Sequence, residues 1–189
     1  SMLAVKALPG ETEKQLTGDL SVAAYNSPDL SVVSGPSDQI QIFSAELQSK
    51  GIPNRLIKTS HAFHSSMMDG MKENYSKVVH SVSLNPPRIP LVSSVTGKWM
   101  TEAEACSTSY WINQIRLPVR FTNAISTLWE EPTRLLLEVG PGNAATTFAK
   151  QQSKGTSLNA LAGFEDKGDS EYNSVLRSLG KLWQNGIIP

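Results

Sequence analysis

Short apolar runs separated by turn-forming residues fill the first sixty positions. "MLAV" (2–5) has strand character, and Pro9-Gly10 turns the chain into "PGETEKQL", a short polar helix. "LSVAAYN" (20–26) and "LSVVSG" (30–35) predict two strands joined through Asn26-Ser27-Pro28-Asp29, a connection short enough to make them an antiparallel pair. "SDQIQIFSAELQSKG" predicts a helix capped by Ser37 and stopped at Gly51, with Ile40, Phe43 and Leu47 on one face. "NRLIKT" adds a further strand. The order strand, helix, strand, strand, helix, strand is the split βαβ, ferredoxin-like pattern, complete within residues 2–60.

Beyond position 60 the rhythm changes. Met67, Met71, Tyr75 and Val79 recur every fourth residue and predict a helix over 65–80 whose apolar face packs into a core. "NPPRIPLVSSVTG" (85–97) reads as an extended entry, a short strand and a turn. "STSYWINQIRLPVRFTNAISTLWEE" holds a turn of helix, a break at Pro118 and a helix to about 131. The unbroken run "RLLLEVG" (134–140), bounded by Gly140-Pro141-Gly142, predicts a strand buried on both faces, and "SLNALAGF" (157–164) another strand. "SEYNSVLRSLGKLWQNG" predicts a closing helix with Val175, Leu176, Leu179, Leu182 and Trp183 on its apolar face. Alternating strands and helices of this kind define an α/β layer.

Composition narrows the function. The 189 residues suit one domain, or one domain with a small appendage, and 39% apolar content supplies a core. Seventeen acidic and seventeen basic side chains cancel, which argues against a nucleic-acid binder. No apolar run approaches the roughly 18 residues needed to span a bilayer, so no membrane role is expected. Ser1 reads as a tag remnant, and "SMLAVKALPG" is too short and too weakly basic for a signal peptide. A single cysteine, Cys106, excludes an intrachain disulfide and a cysteine-rich zinc site, and a reducing, cytoplasmic location is the expectation.

Chemistry concentrates in "TSHAFHSSMMDG" (59–70), where His61 and His64 stand three apart among serines. By itself the pair is open to three readings: a catalytic base, structural histidines, or two metal ligands. His80, the remaining histidine, has no acidic or thiol partner at a ligand spacing. His64 falls where a strand-ending segment gives way to a helix, a place where side chains project from a fixed backbone. "EVGPG" likewise ends a strand. Gly140-Pro141-Gly142 is either a tight strand-to-helix turn or a place where glycine lets backbone approach a ligand.

Four separated stretches carry a family resemblance: "AAYNSPDLSVVSGP", "SHAFHSSMMD", "YWINQIRLPVRF" and "LLLEVGPGN", supported by "PLVSSVTG" and "LGKLWQNG". In order and spacing they resemble the malonyl/acyl-CoA:acyl carrier protein transacylases, specifically the acyltransferase domains of type I modular polyketide synthases. The resemblance covers the chain from Met2 onward. It implies a ferredoxin-like small subdomain at residues 1–60. Residues 61–189 would then be the C-terminal part of an α/β-hydrolase-like large subdomain and the start of the following linker.

The family's nucleophile is a serine in a Gly-His-Ser-x-Gly elbow that precedes the small subdomain. No Gly-x-Ser-x-Gly occurs here: "GPSDQ" (35–39) and "GTSLN" (155–159) both fail at the last position. The resemblance therefore implies a base without its nucleophile, inactive alone. It makes His64 the general base, oriented by a backbone carbonyl around Asn113, Gln114 and Arg116, with Gly140, Pro141 and Gly142 lining the site. His-Ala-Phe-His in place of Tyr-Ala-Ser-His implies malonyl selectivity through His61 and Phe63, the phenylalanine filling the space an α-methyl group would need. No tightly bound cofactor or metal is implied. The substrates would be malonyl-CoA and a phosphopantetheinylated acyl carrier protein, and the partners a ketosynthase and other synthase domains. A truncated layer would also leave apolar surface uncovered near Met67, Leu136 and Trp129, favouring a dimer or looser association. Two other readings remain: a non-catalytic module that binds a carrier protein or neighbouring domain, and a hydrolase using Ser65 or Ser66.

Overall fold

A computed structural model describes residues 1–152, 160–164 and 170–187, and the chain divides into two compact units, Ser1–Thr127 and Leu128–Pro189. The first unit opens with β1 (Met2–Val5), α1 (Pro9–Lys14), β2 (Ser21–Ser27), β3 (Leu30–Ser34), α2 (Ser37–Ser49) and β4 (Asn54–Ile57). The four strands form one antiparallel sheet in the order β2-β3-β1-β4. All six expected elements are present in the expected sequence. The β2–β3 link is a two-residue turn, Pro28-Asp29, between the paired Ser27 and Leu30, and Ser27 Oγ donates to Asp29 Oδ1 at 3.0 Å.

Helix α2 shows how sequence places the core. Ile40, Phe43 and Leu47 lie one turn apart on its buried face and pack with Leu3, Val5, Leu20 and Val33. The helix ends where Gly51 takes φ +69°, a conformation a side chain disfavours. The Gly51 amide then donates to the Gln48 carbonyl and the Ile52 amide to the Leu47 carbonyl, satisfying carbonyls the helix itself leaves open. At the other end the N-cap is Pro36, and Ser37, expected there, is the first helical residue.

The segment after β4 departs from a single helix. Ser66–Met71 is a 3-10 helix that runs into α3 (Lys72–His80). Within that 3-10 helix Met68 is the buried position, 4% exposed, while Met67 and Met71 are exposed and only Val79 of the expected stripe is buried. Residues 85–97 contribute an isolated bridge, Val92 to Trp99, and no named strand. Then follow α4 (Glu102–Ala105), α5 (Thr108–Gln114) and, after Pro118, α6 (Phe121–Leu128).

In the second unit β5 (Leu136–Pro141) pairs in parallel with β6 (Ala160–Phe164), accompanied by α7 (Ala144–Gln151) and α8 (Glu171–Gln184). Positions 157–159 of the strand expected over 157–164 lie outside the described residues. β5 is not buried on both faces as its apolar run suggests. Leu136, Glu138 and Gly140 are half-buried, whereas Leu137, Val139 and Pro141 are exposed. Burial alternates because pleating sends successive side chains to opposite faces, and only one face of β5 is covered among the described residues.

Helix α8 also corrects its expected face. The residues it buries are Ser174, Ser178 and Leu182, with Ser178 Oγ donating to the Ala162 carbonyl at 2.8 Å. Small side chains let the helix approach β6 closely. Leu176, Leu179 and Trp183 are left exposed, with Trp183 at 68%. Of the surfaces expected to be uncovered, Met67 is exposed, while Leu136 and Trp129 are half-buried.

Candidate active site

His64 is the one non-glycine residue with positive φ, +58°, among the described residues. A side chain in that conformation costs on the order of 1–3 kcal/mol and persists only where surrounding contacts hold it. Two such contacts come from one loop. The His64 amide donates to the Ile115 carbonyl at 3.2 Å, and ring Nδ1 donates to the Leu117 carbonyl at 2.8 Å. A carbonyl only accepts, so Nδ1 carries a proton, and in the neutral ring Nε2 keeps its lone pair. That is the tautomer a general base requires.

The orienting carbonyl therefore belongs to Leu117, just past the expected group. Asn113 instead turns its carbonyl to the amides of Arg116 and Leu117, closing the end of α5. Arg116 contributes its side chain: Nε lies 3.6 Å from Asp69 Oδ2, and Lys72 Nζ lies 2.6 Å from Asp69 Oδ1. The hydrogen bond from Lys72, then the charges of Lys72 and Arg116, holds the Asp69 carboxyl below its ordinary range, outweighing its desolvation. The Asp69–Arg116 pair links the 3-10 helix that follows His64 to the loop whose carbonyls bond it. Gln114 lies in the last turn of α5.

The neighbours of His64 have separate tasks. Ala62 is buried, and Phe63 is 40% exposed with its ring 5.8 Å from that of His61. His61 Nδ1 meets its neighbour Ser60 Oγ at 2.9 Å, a local contact that does not orient the ring against the fold. Ser65 is fully buried; its hydroxyl donates to the Ala62 carbonyl at 2.6 Å and accepts from the Met67 amide at 3.3 Å. It caps the 3-10 helix, and a hydroxyl engaged in this way is a poor nucleophile.

Gly140, Pro141 and Gly142 belong to the second unit. Gly142 takes φ +86°, with nothing within 4 Å of the position a Cβ would occupy, so the turn needs glycine for its backbone and not for close packing. Glu138, inside β5, has a role that strand patterning does not suggest. Its carboxylate accepts from the amides of Ala145 (3.1 Å) and Thr146 (2.8 Å), stabilising the start of α7. The sequence signal for it was a carboxylate within an otherwise apolar run. For the Leu117 carbonyl the signal was Pro118, which disfavours helix at the residue before it and turns the chain out of α5.

Among the described residues no group of three or more His, Cys, Asp and Glu side chains is placed to hold a metal ion. No helix among them is long and apolar enough to cross a membrane.

This fold is that of acyltransferases. The acyl transferase domain family matches residues 1–187, and the chain belongs to that family. Its curated relatives are polyketide synthases. It is 34% identical over 192 residues to a phenolphthiocerol/phthiocerol polyketide synthase protein of Mycobacterium tuberculosis (strain ATCC 25618 / H37Rv), covering 99% of this chain and 13% of that one. Among solved structures it is similar to the acyl transferase domain of SpnD, in complex with 2-(pent-4-yn-1-yl)malonyl, with TM-score 0.94 and 33% identity over 98% of this chain and 46% of that one. It is also similar to the malonyl CoA-acyl carrier protein transacylase of Clostridium perfringens, with TM-score 0.83 and 25% identity over 97% and 57%. The chain thus spans about half the length of these solved acyltransferases and a small part of the mycobacterial synthase protein.

Proposed function

We propose that this chain supplies the general base of a polyketide synthase acyltransferase domain that moves a malonyl unit from coenzyme A to a carrier protein. The observation that carries the reading is the state of His64: Nδ1 spent on the Leu117 carbonyl, Nε2 free to accept. In the reaction a serine hydroxyl, outside this chain, attacks the thioester carbonyl while Nε2 takes its proton. The C–S bond breaks, and coenzyme A leaves as its thiol with that proton. The phosphopantetheine thiol of the carrier protein then attacks the serine ester, with its proton passing through Nε2 to the departing serine oxygen. The rest of the synthase, its ketosynthase included, and the carrier protein are the partners this reading implies.

Within the same reading, residues 1–60 form a ferredoxin-like small subdomain and residues 61–189 the C-terminal part of an α/β-hydrolase-like large one. The β2-β3-β1-β4 antiparallel order and the two intervening helices support the first part. The turn at Gly140–Gly142 presents backbone to ligand. With no nucleophile elbow in its sequence, the chain alone does not turn over. Intact-protein mass spectrometry after incubation with malonyl-CoA is expected to show unmodified mass; a stoichiometric malonyl adduct on this chain would overturn the proposal.

Phe63, partly exposed beside His61, is the proposed selectivity residue. Attraction for one methyl is worth only ~0.8 kcal/mol, so exclusion by a ring discriminates better. In a domain completed with the upstream half, Phe63→Ser is expected to raise methylmalonyl use relative to malonyl by roughly 10- to 100-fold, since a single pocket contact is worth ~1–3 kcal/mol. Competitive loading with both thioesters measures it, and an unchanged ratio would make Phe63 a packing residue.

A second reading, an interaction module that associates through apolar surface, is favoured by one observation. Leu176, Leu179 and Trp183 share an exposed side of α8. Sedimentation of the chain would reveal a dimer, and loss of association in Trp183→Ser would assign it to this face.

A further inference from the structure

Leu117 lies on a loop, yet its carbonyl has to be well placed to hold the His64 ring. Two residues further on, Val119 is fastened to the edge of the small sheet. The Val119 amide donates to the Ala23 carbonyl at 2.8 Å, and the Tyr25 amide donates to the Val119 carbonyl at 2.9 Å, making a parallel bridge centred on Ala24. β2 is an edge strand, and its register against β3 shifts between Val22 and Ala24 and again between Tyr25 and Ser27. Such irregularities are a common way to re-aim an edge toward a separate segment.

Side chains just past Val119 close the attachment. Thr122 Oγ1 donates to the Tyr25 carbonyl at 3.1 Å. The Arg120 guanidinium stands 5.5 Å over the Tyr25 ring, and the Tyr25 hydroxyl donates to Glu13 of α1. Burial, reinforced by the hydrogen bond to Glu13, pushes the Tyr25 phenol up to about 12, so it remains a neutral donor throughout the working range. On the other side of Leu117, Arg116 meets Asp69. The orienting carbonyl thus lies between two anchors, one beside the histidine and one on the small sheet.

We propose that the clasp of Tyr25, Arg120 and Thr122 on Val119 makes the small sheet the scaffold that orients the base, so that these three are positioning residues for His64. The proposal rests on the reading of His64 as a general base. The small sheet, in this account, does more than flank the site: its edge strand sets where the Leu117 carbonyl stands, and so which ring nitrogen of His64 is free.

Nitrogen NMR of the histidine rings in the 189-residue chain tests this directly, at about pH 8, where imidazoles are neutral. Wild type is expected to show His64 protonated at Nδ1. Thr122→Val keeps the side-chain volume and removes one hydrogen bond, which is worth roughly 2- to 10-fold in an equilibrium. It should move His64 measurably toward the Nε2-protonated form, and adding Arg120→Gln should move it further. His80, whose Nδ1 meets the Ser76 carbonyl within its own helix, is the internal control and should not change. A purely structural clasp would lower stability and leave the His64 tautomer alone, and that result would overturn the proposal. If the double variant does not fold, Thr122→Val decides by the same signal.

In the completed domain the same variants should lower kcat with little change in KM for malonyl-CoA, with Arg120→Lys recovering part of the loss. Absence of any malonyl transfer by the completed wild type would remove the functional reading. The tautomer shift would still decide the inference about the clasp.

Discussion

Replacing His64 by alanine in the completed acyltransferase domain is expected to lower turnover by ~10²- to 10⁴-fold, the usual contribution of a positioned general base. The expectation follows from how the ring is held. Its backbone is bent to φ +58° and tied to Ile115, and its Nδ1 is committed to the Leu117 carbonyl, so alanine loses a group the fold is organised to present. His61 offers the contrast. It is exposed, its Nδ1 contacts only the adjacent serine, and His61→Ala should cost no more than about tenfold, the range of one lost surface contact. Acylation rates measured with malonyl-CoA separate the two variants. Equal damage from both would show that the base had been wrongly assigned.

The other large effect concerns stability. Phe43→Ala removes a ring that is 2% exposed at the centre of the α2 face, between Ile40 and Leu47 and against Leu3, Val5 and Val33. Truncations of buried phenylalanine cost ~3–5 kcal/mol, a large share of the ~5–15 kcal/mol that holds an ordinary domain. Ile42→Ala, one residue away but 60% exposed on the opposite side of the helix, should stay within about 0.5 kcal/mol. Amide exchange in β1 and β3 is the suitable measurement, because it reports the small sheet itself whatever the second unit does. Protection should fall roughly 100-fold or more in Phe43→Ala and hardly at all in Ile42→Ala. Similar losses in both would mean that α2 does not carry the core.

The first sixty residues were legible because each local signal agreed with its neighbours: turn residues at Pro28-Asp29, a glycine stop at Gly51, and the helical spacing of Ile40, Phe43 and Leu47. Legibility failed where geometry was not helical in the ordinary sense or where burial depended on partners. The spacing of Met67, Met71, Tyr75 and Val79 fits an α-helix, but the first part of the segment is a 3-10 helix that buries Met68 and leaves Met67 and Met71 exposed. The run around Leu136–Val139 could not reveal that only one of its two faces would be covered. On α8 the leucines drew attention to the wrong face, since close approach to β6 is made by Ser174 and Ser178.

For the site, the expected group Asn113, Gln114 and Arg116 stops one residue short of Leu117, whose carbonyl meets His64 Nδ1. Any peptide unit has a carbonyl, so beyond the chain break that Pro118 signals, residue type does not say which one is used. The clasp at Tyr25 was equally hidden, because pairing between positions 24 and 119 leaves no local pattern.

While β2 is occupied by Val119, the sheet's opposite border is β4, and the consequence is one of colloidal behaviour. A bare border strand is a template for stacking one molecule on the next. β4 is four residues long, follows Pro53, and carries the exposed Arg55 with Lys58 just beyond. Brevity, a proline and two like charges together discourage an identical strand from a second copy. Surface redesign aimed at expression or crystallisation would do well to leave Arg55 and Lys58 in place, since neutralising them would convert a guarded border into an adhesive one.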